Sequence, residues 1–337
     1  MRRPRLLPLI VVGLAAAAGA LPPPASAQTP AQTVGIGIVD VPANRSDDPR
    51  ARQYIVDHIT PGTTITRRVE VSNNTDQTQV VQLYPAAAAI KDGTFLFGDG
   101  RAVNDLTTWT TVEPPAVNPP AGGKTLATVT IAVPADASPG ERYGVVWAQL
   151  PASTPQGGGV AAVNRVGIRV YLSVGPGAEP ASDFVIESLT ARRDTGGVPI
   201  VSARVRNTGG RALDMSGDLH LSHGPGGLNA GPFPARLGTT LGVGDTEPVE
   251  VSLSSEIPNG PWAATLMLRS GLLDRSASAE IGFPSAAGVS ARAVKATLTA
   301  KRSRRLPIVA LILIVAILSA LLLVLLPRRR HHHATDG

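Results

Sequence analysis

The chain contains no cysteine and few aromatic residues, although it is 337 residues long. Aromatic residues make up only 4% of the sequence. The absence of cysteine excludes disulfide bonds and rules out a thiol nucleophile. The exported part of the protein must therefore be stabilised by hydrophobic cores or by contacts with other chains.

The sequence also lacks the usual signatures of an enzyme. It contains neither a His-Glu-x-x-His zinc motif nor a Gly-x-Ser-x-Gly nucleophile elbow. A Ser-His-Asp triad needs only spatial proximity, so the sequence leaves a cryptic hydrolase open but marks no triad. We predict a protein that is not an enzyme and has no catalytic residues, no cofactor and no metal site.

Two groups of polar residues are candidate sites. His220 and His223 are three residues apart in a predicted strand and loop, where residues two apart would share a face, so a metal site is disfavoured. Asp92 and Asp99 flank "GTFLFG". Paired acids can cleave glycans or bind calcium, but we interpret these two as polar turn residues beside a strand that contains Phe95 and Phe97.

The tryptophans and one glycine-rich segment are further candidates. Trp109, Trp147 and Trp262 could stack on sugar rings, but with so few aromatic residues we interpret them as core residues. The segment "PQGGGVAAVN", residues 155–164, precedes a predicted strand and lacks the Lys-Ser/Thr of a phosphate-binding loop. We interpret it as a flexible connection, with a contact loop as the alternative.

Positive charge is concentrated at the two ends of the chain. Between Gln28 and Ala300 there are 21 basic and 24 acidic residues, a net charge of −3. A nucleic-acid-binding protein would carry its positive charge on the folded domain, so nucleic acid is not the predicted partner. Ten of the 31 basic residues lie at the ends: Arg2, Arg3, Arg5, Lys301, Arg302, Arg304, Arg305, Arg328, Arg329 and Arg330.

The N-terminal segment, residues 1–27, has the features of a secretory signal peptide. Three arginines precede an apolar run, and Ala25-Ser26-Ala27 provides a cleavage site. An uncleaved anchor helix is the alternative, although the three prolines at 22–24 argue against a continuing helix.

A second apolar segment, Leu306 to Leu326, is a predicted transmembrane helix. It carries no charge, and at 1.5 Å per residue it spans roughly 30 Å, the thickness of a hydrocarbon core. Four basic residues precede it and three follow it, so charge counting alone mildly favours the N-terminal side inside. A translocated N-terminus requires the opposite. We therefore predict a single-pass cell-membrane protein with its bulk outside and the basic tail, 327–337, in the cytoplasm.

The exported region is predicted to be all-β. Short β-branched runs alternate with Gly, Pro, Asn and Asp every roughly 8–12 residues, which is typical of β-sandwiches. We predict two tandem immunoglobulin-like sandwiches, 34–178 and 182–284. A Pro- and Gly-containing linker joins them, and a basic stalk, 285–305, leads to the membrane.

An internal repeat supports two domains of one type. "VEVSNNTDQTQVVQL" (69–83) and "VSARVRNTGGRALDM" (201–215) are both predicted β-hairpins. The stretches 122–150 and 242–270 share a glycine turn, an alternating strand, a second turn, an aromatic residue and an apolar strand. Tyr143 and Trp262 are the two aromatic residues, offset by about one position.

Residues 54–93, which include "PGTTITRRVEVSNNTD" and an Ala-rich strand ending in Asp-Gly, resemble the N-terminal domain of the WxL-interacting surface proteins of Gram-positive bacteria. Residues 141–174 resemble that domain's closing strands, so the similarity spans roughly 34–178. The resemblance implies a first domain that binds peptidoglycan, a second domain that binds a partner or the host, and pairing with WxL proteins. This chain itself contains no W-x-L motif.

These features favour a non-enzymatic, membrane-anchored surface protein that binds peptidoglycan, another wall polymer, or a secreted or surface protein. The alternative is a membrane-tethered assembly chaperone or scaffold that pairs an edge strand with a secreted client.

Overall fold

The computed structural model of the protein describes residues 33–152 and 163–298. The predicted signal peptide, transmembrane helix and cytoplasmic tail lie outside these residues. Within the described ranges, no helix is both long enough and apolar enough to span a membrane. The predicted all-β class is confirmed, because two β-sandwiches account for the fold and the α-helix α1 (Asp105–Thr108) has only four residues.

The first domain packs a four-stranded sheet, in the order β1-β3-β8-β6, against a larger one. The large sheet has the order β2-β10-β9-β4-β5, with β7 paired to the start of β4. Its strands are β1 (Val34–Ile38), β2 (Ile55–Ile59), β3 (Thr64–Asn73), β4 (Val81–Lys91), β5 (Thr94–Phe97), β6 (Thr110–Glu113), β7 (Ala116–Val117), β8 (Lys124–Ala132), β9 (Gly140–Gln149) and β10 (Arg165–Val174).

The second domain packs the sheet β17-β12-β11-β20 against the sheet β15-β14-β18-β19-β21, and β13 pairs with β16 beside them. Its strands are β11 (Phe184–Arg193), β12 (Pro199–Asn207), β13 (Leu213–Asp214), β14 (Ser216–Ser222), β15 (Ala230–Pro234), β16 (Thr240–Leu241), β17 (Thr246–Ser252), β18 (Trp262–Ser270), β19 (Leu273–Ile281), β20 (Val294–Lys295) and β21 (Thr297–Leu298).

Each domain has its own core, formed by the alternate residues that face the opposite sheet. In the first domain Val69 and Val71 of β3 and Val146 and Ala148 of β9 are fully buried. Alternation sends Trp147, which lies between Val146 and Ala148, to the other side of the large sheet. The core of the second domain contains Trp262, as predicted from its sequence.

The repeated segments are not hairpins, which corrects the sequence interpretation. β3 and β4 lie in opposite sheets of the first domain. In the second, β13 at the end of the repeat pairs with β16 and not with β12, and the chain continues directly into β14 of the opposite sheet. Each repeat therefore begins an arch that crosses the sandwich. The polar residues between the strands are typical of any turn, and they do not reveal whether the second strand pairs with the first.

Each arch is fixed by its own buried asparagine, and the two asparagines make equivalent contacts. Asn73 accepts a hydrogen bond from the Thr75 backbone N–H (3.0 Å), and its Nδ2 donates to the carbonyls of Gln77, Pro119 and Pro120. Asn207 accepts from Gly209 N–H (2.9 Å) and donates to the carbonyls of Arg211, Leu241 and Gly242. The two N–H groups of the amide are thus shared among three carbonyls, and its oxygen accepts from one backbone N–H, so a single side chain pairs several backbone groups of the arch.

Part of the segment assigned to a stalk is packed on the second domain. β20 pairs with β11, and β21 pairs with β19, so residues 294–298 bridge the open side of the sandwich. The backbone N–H of Ala291 also donates to the carbonyl of Ala191 at 2.8 Å. The Ala-rich composition suggested a spacer, but the exposed edges of β11 and β19 offer unpaired backbone groups that this segment satisfies.

Candidate functional site

Most of the aromatic residues lie on the side of the large sheet that faces away from the core of the first domain. We call this side the outer face. All four tyrosines, two of the five phenylalanines and one of the three tryptophans lie on it or beside it. They are Tyr54, Tyr84, Phe95, Phe97, Tyr143, Trp147 and Tyr171. In a chain with only 4% aromatic residues, this concentration marks the outer face as the candidate site.

The second domain covers one half of the outer face, which we call the docked half. It consists of Tyr54, Phe95, Tyr143, Arg169 and Tyr171. The ring of Tyr171 lies 5.1 Å from that of Phe95 and 6.0 Å from that of Tyr143, centre to centre. Ala212 of the second domain is buried in this aromatic cluster. Aromatic packing of this kind buries apolar surface between the two domains.

Asp214 of the second domain lies at the centre of an ion-pair network at this junction. Its carboxylate accepts hydrogen bonds from Arg50 Nε at 3.0 Å, from the Tyr171 hydroxyl at 2.8 Å and from Thr240 at 2.9 Å. Arg169 donates to the same carboxylate at 3.2 Å. Two arginines of the first domain are thus compensated by one acid of the second.

Glu141 of the first domain makes the reciprocal contact. It accepts from Arg211 Nε at 3.1 Å, from the backbone N–H of Ala212 at 2.7 Å and from the Tyr143 hydroxyl at 2.7 Å. The side chains of Glu141 and Arg211 are 3% and 2% exposed. Burial raises the pKa of Tyr143 and of Tyr171, so both phenols stay neutral and donate to the carboxylates.

The segment predicted as a short linker also takes part in docking. Glu179 pairs with Arg45 of the first domain and with Arg211 of the second. On the opposite side of the junction, the backbone N–H of Thr240 donates to the Gly93 carbonyl at 2.8 Å. Because backbone bonds, buried ion pairs and aromatic packing act together, the two sandwiches are docked as one unit.

Three cavities lie at the junction in the described part of the chain. The first, about 440 Å³, is lined by Arg50, Tyr54, Arg169 and Asp214. The second, about 280 Å³, is lined by Arg45, Glu179 and Arg211, among others. The charged groups of these two already pair with one another, so neither presents a free charge for a ligand. The third, about 230 Å³, lies between the turn at Gly93 and Glu247, among others.

The other half of the outer face, the exposed half, consists of Gln82, Tyr84, Arg101, Trp147, Gln149 and Arg165. The guanidinium of Arg101 lies 3.9 Å from the centre of the Tyr84 ring, and that of Arg165 lies 4.3 Å from the centre of the Trp147 ring. Both distances are within the range of cation–π interactions. The two residues are 3% and 6% exposed. Arg101 covers Tyr84, and Trp147 is covered by Arg165 together with the Phe97 ring, whose centre lies 4.9 Å away.

Gly167 makes the position of the Trp147 ring possible. The two residues face each other directly across β10 and β9. A Cβ atom on residue 167 would lie 2.7 Å from the indole ring, so any larger residue would displace it. Trp147 was predicted to be a core residue. The ring is buried, but on the outer face of the sheet and not between the two sheets.

The other sequence candidates lie apart from one another. Asp92 and Gly93, both with positive φ, form the two-residue turn between β4 and β5, as Asp-Gly turns in β-hairpins commonly do. His220 lies in β14, and His223 follows the strand and is hydrogen-bonded to Ser222 at 3.2 Å. In the described part of the chain, no group of three His, Asp or Glu side chains is arranged to hold a metal ion.

Sequence reasoning did not find the arginine partners of Tyr84 and Trp147. Arg165 was one basic residue among many, and Arg101 lies in an irregular segment far from Tyr84 in sequence. The available signal was the alternation in "RVGIRVYLSV", which places Arg165, Gly167, Arg169 and Tyr171 on one face of β10.

No protein-family model matches the chain, and no curated protein sequence matches it. Among solved structures, the fold is similar to that of the SafA pilin in complex with the SafB chaperone from Salmonella enterica. This similarity has a TM-score of 0.40 and 11% identity, over 80% of this chain and 98% of the other.

The fold of this chain is also similar to that of the YadV chaperone, with a TM-score of 0.38 and 13% identity over 79% of this chain and 99% of the other. The E. coli chaperone DraB gives a TM-score of 0.38 and 11% identity, over 74% and 99% of the two chains. Similarity at this level assigns neither a family nor a function, and the resemblance to WxL-interacting proteins stays a prediction.

Proposed function

We propose that this protein is a non-enzymatic binding protein of the cell surface, which holds a wall polymer or a surface protein on the exposed half of the outer face. The predicted helix, Leu306 to Leu326, anchors it in the membrane, and the docked sandwiches present the site at a fixed orientation. The observation that carries the proposal is the pair of arginines, Arg101 and Arg165, which lie over Tyr84 and Trp147 without a carboxylate partner among the described residues.

The docked half supports the same proposal, because it supplies rigidity without using the exposed half. A ligand held on a flexible pair of domains would lose binding energy to the ordering of the linker. Here Glu179 in the linker pairs with both domains, and Asp214 and Glu141 bind across the junction. The cost of ordering the domains is therefore met in folding, before any ligand binds.

The test uses the full chain, purified in a mild detergent and sedimented with isolated cell walls. We expect it to be retained on walls that keep their accessory polymers, while a detergent-solubilised control membrane protein stays in the supernatant. A chain that stays in the supernatant with every wall preparation would refute wall binding. A surface protein would then be the only ligand left in the proposal.

A second candidate is an assembly chaperone or scaffold that pairs a strand with a secreted client. The observation in its favour is that β1 and β6, the outer strands of the four-stranded sheet, are each paired on one side only among the described strands. Such an edge can accept another strand.

The chaperone hypothesis is tested with Thr111→Lys in β6, which places a charge on that exposed edge and disfavours pairing with another strand. Co-purification of a secreted protein with the wild type but not with this variant would favour the chaperone. Unchanged co-purification, with thermal unfolding of the variant also unchanged, would count against pairing at β6.

A further inference from the structure

Among the described residues, Arg101 and Arg165 differ from most other arginines in lacking an acidic partner. Thirteen arginines of the described residues pair with Asp or Glu: Arg45, Arg50, Arg67, Arg68, Arg142, Arg169, Arg192, Arg204, Arg206, Arg211, Arg236, Arg269 and Arg275. The ten residues 153–162, which join β9 to β10, contain no charged side chain, so the connection nearest to Arg165 supplies no acid.

Stacking holds these two guanidinium groups without using up their hydrogen-bond donors. A guanidinium has five N–H donors in its plane, and contact with a ring face leaves the edges of that plane free. Arg101 makes only a long contact of 3.5 Å with the Gln82 side chain. Both groups are therefore oriented in advance and can still donate to an acceptor.

The residues between the two arginines extend this donor surface into a strip. Gln149 lies directly opposite Arg165 on one side and opposite Gln82 on the other, so the three form a row across β10, β9 and β4. At 4.7–4.9 Å per strand the row is roughly 10 Å long, and Arg101 stands at its far end. The strip thus has a guanidinium at each end and two amides between them.

One buried donor beside the strip has no acceptor. The indole Nε1 of Trp147 has no hydrogen-bond partner among the described residues, and its atom is buried. A buried N–H without a partner is unfavourable, and in native proteins it commonly marks a place where a water or a ligand binds. The Trp147 ring lies under the guanidinium of Arg165, so an acceptor bound at this end of the strip would be near both residues.

We propose that the strip of Arg165, Gln149, Gln82 and Arg101 binds a linear anionic polymer of the cell wall that carries repeated phosphate or carboxylate groups. This deepens the proposed function and rests on it. Each guanidinium binds one anionic group of the polymer, and the amides bind the neutral unit between them. A flat strip that is open at both ends suits a chain that continues beyond the site.

The test measures binding of the full chain in detergent to poly(glycerol phosphate) and to polygalacturonate, with neutral dextran and inorganic phosphate as comparison ligands. We expect binding to one or both anionic polymers, no binding to dextran, and weaker binding to phosphate because it contacts one guanidinium at a time. The affinity should fall with added salt, because counterions are released from the polymer.

Arg101→Gln and Arg165→Gln each remove one charge and keep most of the side chain. We expect each to weaken polymer binding about tenfold, and the double variant more than either. The matched control is Arg292→Gln, which removes an exposed arginine of the second domain that has no ion pair among the described residues. This control should leave affinity within about twofold.

Three results would overturn the inference: equal polymer affinity of the double variant and the wild type, equal binding of dextran, or binding of inorganic phosphate as tight as that of polymer. If the wild type is still retained on isolated walls in any of these cases, the proposed surface-binding function stands and only the anionic strip is wrong. If the chain binds neither walls nor polymers, both proposals of a wall ligand fail.

Discussion

The two halves of the outer face contain the same residue types, but their arginines differ in whether they pair with a carboxylate. In the docked half Arg169 lies over the Phe95 ring at 4.7 Å and also bonds to Asp214. In the exposed half Arg165 lies over Trp147 at 4.3 Å and has no acidic partner in the described part of the chain. Stacking of arginine on an aromatic ring therefore does not distinguish a domain junction from a binding site. What distinguishes the two is whether the arginine has a carboxylate partner.

The comparison also explains why the docked half is unsuited to a ligand. Removing two charges from water is costly, and the cost is met only when hydrogen bonds satisfy the remaining donors and acceptors. Glu141 meets this condition with Arg211, Ala212 and Tyr143. The exposed half leaves its charges in contact with solvent, where an anionic ligand can replace water.

The largest expected loss of stability follows from a substitution in the docked half. Glu141→Gln keeps the shape of the side chain but leaves the buried guanidinium of Arg211 without its principal charge partner. Breaking a buried pair in this way costs about 3–5 kcal/mol of the free energy of unfolding. Urea denaturation of the full chain in detergent measures it, and Glu187→Gln, which loosens the exposed pairs with Arg204 and Arg206, is the control with little change.

A separate transition for each domain in Glu141→Gln, where the wild type shows one, would indicate that the junction couples the two sandwiches. A variant as stable as the wild type would show that the buried pair contributes nothing, and the comparison between the two halves would lose its basis.

A smaller effect is expected when acid is introduced into the exposed half. Gln149→Glu places a carboxylate opposite Arg165 in the strand pairing and makes this half resemble the docked one. We expect about a tenfold loss of affinity for anionic polymer, because the new charge competes for the guanidinium and repels the ligand. Thr111→Glu, on the opposite sheet, adds the same charge elsewhere and should leave binding unchanged.

Alkaline pH should weaken the docked half. Burial raises the pKa of Tyr143 and Tyr171 above the ordinary value of 10.0. The unfolded chain loses these protons at lower pH than the folded chain, so the stabilisation is complete below about pH 10 and declines as pH rises above it. Urea unfolding from about pH 8 to about pH 11 should show this decline, and Tyr143→Phe should reduce it. An unchanged slope in that variant would contradict the assignment.

The smallest effect is expected for the stability of Arg101→Gln and Arg165→Gln. Each loses a partly exposed cation–π contact worth about 0.5–1 kcal/mol, so the double variant should unfold close to the wild type. Thermal and urea unfolding measure this. A loss as large as that of Glu141→Gln would mean that the two arginines hold the first domain together, and that their main role is structural.

Several elements of the fold were predictable because they depend on local alternation and turn chemistry. The pattern of "RYGVVWAQL" and "RVGIRVYLSV" indicated central strands, and β9 and β10 do occupy the middle of the large sheet. The repeat between 122–150 and 242–270 corresponds to β8–β9 and β17–β18, which hold equivalent places in the two sandwiches. Hydrophobic periodicity decides both features, and it can be read directly from the chain.

Other elements were not predictable, because they depend on which strands meet. Tyr143 and Trp262 hold comparable places in the repeat, yet Tyr143 faces the second domain while Trp262 lies in a core. An offset of one residue reverses the face of a strand, and nothing local to the sequence reports that offset. The arch at Asn73 likewise has the composition of a hairpin turn.

The sequence by itself determined the all-β class, the two repeated units and the apolar segments that predict export and anchoring, because each depends on residues that are neighbours along the chain. Only the tertiary structure decided which arginines meet an acid and which stack without one. Asp214 lies 45 residues from Arg169 and 164 from Arg50, and contacts over such distances are set by the docking of whole sheets.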